Sequence, residues 1–444
     1  MTHPPELVDV SVLDQLGPLV QCRLRFPRPR LDDVPGEVKS ALARLPALGG
    51  LEQGQRVAVT AGSRGITGIA PILRAACEYL RTLGVEPVVV SAMGSHGGGT
   101  AAGQRDLLRS LGITEEALGG TPVICSAETD IIGHTPDGLA VHADRFTVRE
   151  VHGVLVVNRV KPHTAFRGPT ESGLLKMLAV GLGRQPGATI VHSRGPGSMC
   201  AAIRSMAAVS LEKLPVLGGL AILENGYEET AEIVPLMAQE FLSREETLLA
   251  RARELLPRLP LAAADILVVE QIGKEVSGTG MDTNITGRWG DSDPGPEAGP
   301  TPGFRRVVVL DLTPSSHGNA TGIGLADFTT DRVVQAMDRR VTYTNCLTST
   351  LIDRARLPLF LPDDRQALAA AVLSLGEVDR GRASLVQIRD TLHLDVIRVS
   401  AHVVGKMEPP PGVTVEVEEQ PGAFPMGFDA GGRLARLPAP EASG

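Results

Sequence analysis

Residues 161–194, KPHTAFRGPTESGLLKMLAVGLGRQPGATIVHSR, gather side chains that can do covalent and acid–base work. The chain holds six lysines against 37 arginines, and two of the six, Lys161 and Lys176, fall in this stretch beside His163 and His192. Lysine can lose its proton and act as a nucleophile, which a guanidinium cannot do. Pro162 keeps Lys161 out of helical geometry and presents His163 on a loop. Lys176 lies in the apolar run Leu174, Leu175, Met177, Leu178, read as a short helix. A lysine there either snorkels to solvent or sits desolvated in its neutral form, the state covalent chemistry requires. His192 ends a β-branched run and reads as a metal ligand or as a hydrogen-bonded structural group.

Four further loops carry polar groups on glycine-rich backbone. GSHGGGT (94–100) presents His96 before a helix, either as an anion cradle with His96 reaching a ligand or as a turn with a solvated histidine. TAGSRGITG (60–68) sets Arg64 between Gly62 and Gly65, where a bidentate clamp on a carboxylate or an ordinary surface arginine would fit. EQIGKEVSGTG (270–280) offers Gln271 and Lys274 to an anionic ligand. SSHGNATGIGLAD (315–327) brings His317 and Asp327, with an open role.

The elements around these loops alternate. RVAVTAG (56–62), VEPVVVSAM (85–93), TPVICSA (121–127), VHGVLVVNRV (151–160) and GLAILEN (219–225) read as strands. IAPILRAACEYLRTLG (69–84) and AAGQRDLLRSLG read as helices ending at glycine. Short buried strands alternating with longer helices predict βαβ units on mostly parallel sheets. The stretch 232–260 reads as one long amphipathic helix stopped by Pro257 and Pro260, and as a domain boundary. A second α/β rhythm follows, with DILVVEQIG (265–273), RRVVVLDLT (305–313) and SLVQIRDT (384–391) as strands and RQALAAAVLSLG (365–376) as a helix. GDSDPGPEAGPTPG (290–303) reads as loop. VSVLDQL and QCRLRF, near the N-terminus, read as strand-like pieces.

The expected fold is therefore α/β, with two domains of mostly parallel sheet flanked by helices. Residues 1–260 form the first domain and 261–404 the second, with the tail 405–444 packing on the first. The chemistry-bearing loops follow strand ends, where open α/β sheets bind ligands, and an active site in the interdomain cleft is expected.

Composition narrows the function class. The 444 residues are 43 % hydrophobic and 21 % charged, with a net charge of −8, which argues against nucleic acid and against an anionic membrane surface. No apolar run reaches the roughly 20 residues of a membrane span, and no signal-peptide pattern opens the chain. The five scattered cysteines contain no CxxC pair and fit a reducing cytoplasm.

Taken in order, Arg64, His96, His163, Lys176, His192 and the QxxK of Gln271-Ile272-Gly273-Lys274 resemble the nickel-dependent lactate racemase family and its 2-hydroxy acid racemase and epimerase relatives. The resemblance spans about residues 55–280 and rests on the ordered set, including the sixteen residues from Lys176 to His192. It implies a nickel-pincer nucleotide, a pyridinium-3-thioamide-5-thiocarboxylic acid mononucleotide bound covalently to Lys176, with His192 as the protein ligand to nickel. His96 and His163 would be the acid/base pair, and Arg64, Gln271 and Lys274 would hold the substrate. The partners implied are a small 2-hydroxy acid and the enzymes that build the cofactor, in the cytoplasm. Hydride removal from C2 yields a stable 2-keto acid, so the histidines need only move the hydroxyl proton.

The chain departs from the family at several points. Ala61-Gly62-Ser63-Arg64-Gly65 replaces the usual Asp-x-x-Arg-Pro, and Gly97-Gly98 replaces Arg-Pro after His96. Leu174 and Leu175 replace glycines before the lysine, and Lys161 is an added cation. A substrate larger or differently charged than lactate is expected, such as a sugar acid or dicarboxylate. Two other readings are a non-catalytic binding protein derived from this family and a Schiff-base enzyme built on Lys176.

Overall fold

The structure, a computed structural model, describes residues 7–63, 65–292, 302–418 and 426–439. The chain forms two compact units, one of residues 28–256 and one of residues 1–27 with 257–444. The first strand, β1 (Leu19–Arg25), belongs to the second of these.

The unit of residues 28–256 is built on six strands: β2 (Arg56–Ala61), β3 (Glu86–Ser91), β4 (Val123–Ile124), β7 (Gly153–Arg159), β8 (Val216–Glu224) and β9 (Thr230–Leu236). A separate hairpin pairs β5 (Thr129–His134) with β6 (Ala140–Asp144). The sheet order is β4-β3-β2-β7-β8-β9, with β9 antiparallel and the others parallel. Both faces are covered, so the strands read as continuous apolar runs: Val57 and Val59 enter one core, and Ala58 enters the other. Gly84, at φ +78°, takes the left-handed conformation that ends the helix Ile69–Thr82 and turns the chain into β3. From β2 the chain runs outward through β3 to β4, and β7 returns to the opposite side of β2. That reversal lies between β2 and β7, where a doubly wound sheet opens a crevice at its carboxyl edge.

The second unit is an eight-stranded sheet ordered β13-β12-β11-β10-β14-β15-β1-β16. Its members besides β1 are β10 (Ala263–Val269), β11 (Gly303–Val309), β12 (Phe328–Thr330), β13 (Leu359–Leu361), β14 (Leu385–Ile388), β15 (Val396–Ser400) and β16 (Thr414–Val417). β10 through β14 are parallel, and β15, β1 and β16 are antiparallel additions. The order again reverses on either side of one strand, β10, which has β11 on one flank and β14 on the other.

Several expectations need correction. Residues 7–27 belong with the second sheet, paired through β1, rather than with the first unit. The tail does likewise, since Thr414–Val417 is hydrogen-bonded to β1. VSVLDQL is a 3₁₀ turn, Val10–Gln15, opened by the Asp9 carboxylate, which accepts from the Ser11 N–H. The stretch 232–260 is not one helix. Its start belongs to β9, paired with β8, and the helix runs only over Phe241–Leu255. Residues 293–301 of the expected loop 290–303 lie outside the described residues. Among the described residues, no helix is long and apolar enough to cross a membrane.

Candidate functional site

Four of the histidines and lysines singled out above come together at the carboxyl edge of the first sheet. The loop after β2 carries Ser63, and the loop after β3 carries His96; the Ser63 hydroxyl and His96 Nδ1 are hydrogen-bonded to each other. A hydroxyl can donate or accept, so His96 can carry its proton on either ring nitrogen. Arg64, the next residue, lies outside the described residues. The Thr67 N–H further along this loop donates to Glu224 Oε1 at 2.8 Å, and Glu224 also pairs with Arg159. The β2 loop is thereby tied to the ends of β7 and β8.

The loop after β7 closes through a two-way backbone pairing of Lys161 with Ser172. Inside it, the buried Glu171 carboxylate accepts from the His163 N–H at 2.5 Å, from Arg167 at 3.2 Å and from Arg253 at 2.5 Å. The His163 ring is turned by its own backbone: Nδ1 accepts from the Ala165 N–H at 3.1 Å, so the neutral ring carries its proton on Nε2. Its plane lies against Phe166, with centroids 4.4 Å apart.

Lys176 ends the short helix Leu174–Lys176 and leads into a π-turn, Met177–Gly181. Its Nζ stands 5.9 Å from the centroid of the same Phe166 ring. The π-turn meets the other loops at small residues. Gly62 lies under Met177, and the Gly94 N–H donates to Gly181 O at 3.4 Å. A Cβ on Gly181 would stand 2.8 Å from Ala92 O, so a side chain there would push the Lys176 segment off β3.

His192 is on the helix Arg184–Ser193, not at a strand end; the β-branched Thr189, Ile190 and Val191 pack as helix. Burial, with the Lys176 charge added to it, lowers the His192 pKa to about 4, so its imidazole is neutral at neutral pH. Arg184 anchors this helix. Fully buried, it donates to Ser91 Oγ at 2.6 Å, Gln104 Oε1 at 3.1 Å and Asp144 Oδ1 at 2.8 Å. A cleft of about 490 Å³ lies beside this helix and the His96 loop, lined by Gly99, His142, Gln185 and Thr189 among others.

Gln271 and Lys274 belong to the other unit, on the loop after β10. Lys274 Nζ donates to Gly278 O at 2.6 Å and to Asn345 Oδ1 at 3.2 Å. Gln271 Nε2 donates to Asp390 Oδ2 at 3.1 Å. Asp390, just past β14, also faces His393 Nδ1 at 2.9 Å. Burial acts to raise the Asp390 pKa, but hydrogen bonding and charge from His393, with Gln271, outweigh it and hold the carboxyl ionised. Sequence reasoning missed Asp390 and His393, although they follow a strand flanking the reversal in strand order. Asp327 has a scaffold contact, an ion pair with Arg288 at 2.7 Å, and accepts from the Val307 N–H.

No group of three or more His, Cys, Asp or Glu among the described residues is arranged to hold a metal ion. A site with one protein ligand needs no such group when an organic cofactor supplies the other donors. His192 is half-buried with its Nδ1 atom shielded from solvent, and its neutral imidazole is a donor of the kind such a site would use.

No protein-family model matches the chain, and no curated protein matches it. Its fold is similar to that of the lactate racemase apoprotein from Thermoanaerobacterium thermosaccharolyticum, with a TM-score of 0.50 and 13 % identity, over 83 % of this chain and 95 % of that one. At that identity the likeness is one of fold.

Proposed function

We propose that this chain is a racemase or epimerase of a 2-hydroxy acid, working with a nickel-pincer nucleotide held on Lys176 and by His192. The observation that carries the reading is the Lys176 charge acting on a half-buried imidazole, neutral at neutral pH, on a sheet edge that also carries two loop histidines. The cofactor would supply a hydride acceptor next to the metal.

The chain's own residues would handle the proton and the substrate. His163 has its Nδ1 occupied by the Ala165 N–H and so offers an Nε2–H. His96, bonded to a hydroxyl, can present either a proton or a lone pair. In an acid/base pair one ring has to take the hydroxyl proton as a neutral imidazole while the other returns a proton as an imidazolium, and the roles exchange in the reverse direction. Arg64, Gln271 and Lys274 would bind the substrate carboxylate and hydroxyl. The fold likeness to a lactate racemase apoprotein supports the same reading. The enzymes that build the cofactor would be functional partners.

The test is a screen of single enantiomers of 2-hydroxy acids, including sugar acids and dicarboxylates, with protein co-expressed with cofactor-building enzymes and nickel. Formation of the other enantiomer or epimer, lost in both His96→Ala and His163→Ala, is the expected result. Unchanged turnover in both variants would remove the acid/base assignment.

A further inference from the structure

Glu245 lies on the helix Phe241–Leu255, 70 residues from the turn it touches, and nothing in the reading above uses it. It is 1 % exposed. Its Oε2 accepts from the Leu175 N–H at 3.0 Å, and the neighbouring Leu174 N–H acts on the same carboxyl to favour its charged form. These amides open the short helix Leu174–Lys176, and the first amides of a helix have no partner within it. At Gly173, just before them, a Cβ would stand 2.4 Å from Glu245 Oε2, so a side chain there would displace the carboxyl. On the other side of the same residue, Asn158 Nδ2 donates to Gly173 O at 2.8 Å. The turn is thus gripped from the helix on one side and from the end of β7 on the other.

We infer that Glu245 is a positioning residue for Lys176: its carboxyl, bonded to the Leu175 amide beside that of Leu174, holds the lysine-bearing turn in register against Phe166 and His192. A side chain placed there only to fill space would be apolar, since burying a carboxyl is costly unless its bonds are needed. The same helix also sends Arg253 to Glu171, the carboxylate under the His163 loop, so one element reaches both loops through separate contacts. That separation supplies a control.

The test requires neither cofactor nor turnover, so its outcome is independent of the racemase reading. Purified full-length protein is treated with a small amine-acetylating reagent, and acetylation of Lys176 is followed by peptide mass spectrometry against exposed Lys213. In Glu245→Ala the turn loses its acceptor, and Lys176 acetylation relative to Lys213 is expected to rise about tenfold. In Glu245→Gln an amide oxygen still accepts from the Leu175 N–H, and the rate should stay within about twofold of the parent. Gly173→Ala, whose Cβ displaces the carboxyl, should behave like Glu245→Ala, and Arg253→Ala should leave Lys176 at the parent rate. A parent-like rate in both Glu245→Ala and Gly173→Ala overturns the inference. If Glu245→Ala does not fold, Gly173→Ala and Glu245→Gln carry the test, and a rise in the Gln variant equal to that in Gly173→Ala also overturns it.

Discussion

Lys176 and His163 share one aromatic ring: the Lys176 ammonium stands 5.9 Å from the Phe166 centroid, and the His163 ring lies 4.4 Å from the same centroid. Phe166 is 1 % exposed and belongs to the core beneath the sheet edge. It therefore fixes the spacing of a side chain on the β7 loop and one on the short helix that follows. Phe166→Leu keeps most of the apolar volume but removes both ring contacts. The expected outcome is a stability loss of about 1–2 kcal/mol by chemical denaturation, with turnover of the 2-hydroxy acid falling more than tenfold. An equal effect on stability with full turnover would mean that the ring serves packing alone.

His192 is expected to titrate near pH 4, because burial first and the Lys176 charge second disfavour its cation. The unfolded chain protonates this histidine near pH 6.5, so between those values the unfolded state binds more protons. The His192 contribution to stability is thus complete above about pH 6.5 and is lost as pH falls toward 4. An NMR titration checks the value. In Lys176→Ala it should rise but stay below 6.5, since burial is the larger cause.

Glu245 gives the opposite slope. Burial raises its pKa to about 7 against the bonds from Leu175 and Leu174, so the folded state binds the extra proton between about pH 4.5 and 7. Stability from this group is present at low pH and falls as pH rises through that window, by on the order of 3 kcal/mol. Glu245→Gln removes the titration. Denaturation midpoints at pH 5 and pH 7.5 should differ less in the variant than in the parent, after correction for common titrations.

Arg184 and Asp144 form a pair with both side chains at most 1 % exposed, 2.8 Å apart. Arg184→Ala leaves the Asp144 charge buried without a countercharge and removes the guanidinium donor to Ser91 Oγ and Gln104 Oε1. A loss of about 3–5 kcal/mol is expected, read as a lowered denaturation midpoint. Arg184→Met should restore little of it, because the buried carboxylate, though still bonded to Thr147, lacks a countercharge.

The places of His96 and His163 were legible in the sequence because both sit on loops that follow buried apolar strands. The alternation from Arg56 to Ser91 announced β2 and β3, and the glycines after them announced the loops of Ser63 and His96. The two-unit α/β architecture followed from the same rhythm. The contacts that hold the loops were not legible. Glu245 meets Leu175 across 70 residues and Arg253 meets Glu171 across 82, and such pairs leave no mark on local spacing. The helix expected from 232 failed for a related reason: Thr230–Leu236 could satisfy either period, and pairing with β8 decided it. His192 went to a helix because packing outweighs the strand preference of Thr-Ile-Val. The membership of β1 and β16 in the second sheet is likewise long-range, set by pairing with β15 and with each other.

The most direct test of the proposed function is the intact mass of the protein after co-expression with cofactor-building enzymes and nickel, followed by peptide mapping. A covalent adduct of the size of a mononucleotide on Lys176, absent from Lys176→Ala, is the expected result. An unmodified Lys176, from a host that loads a lactate racemase expressed alongside as control, would contradict it.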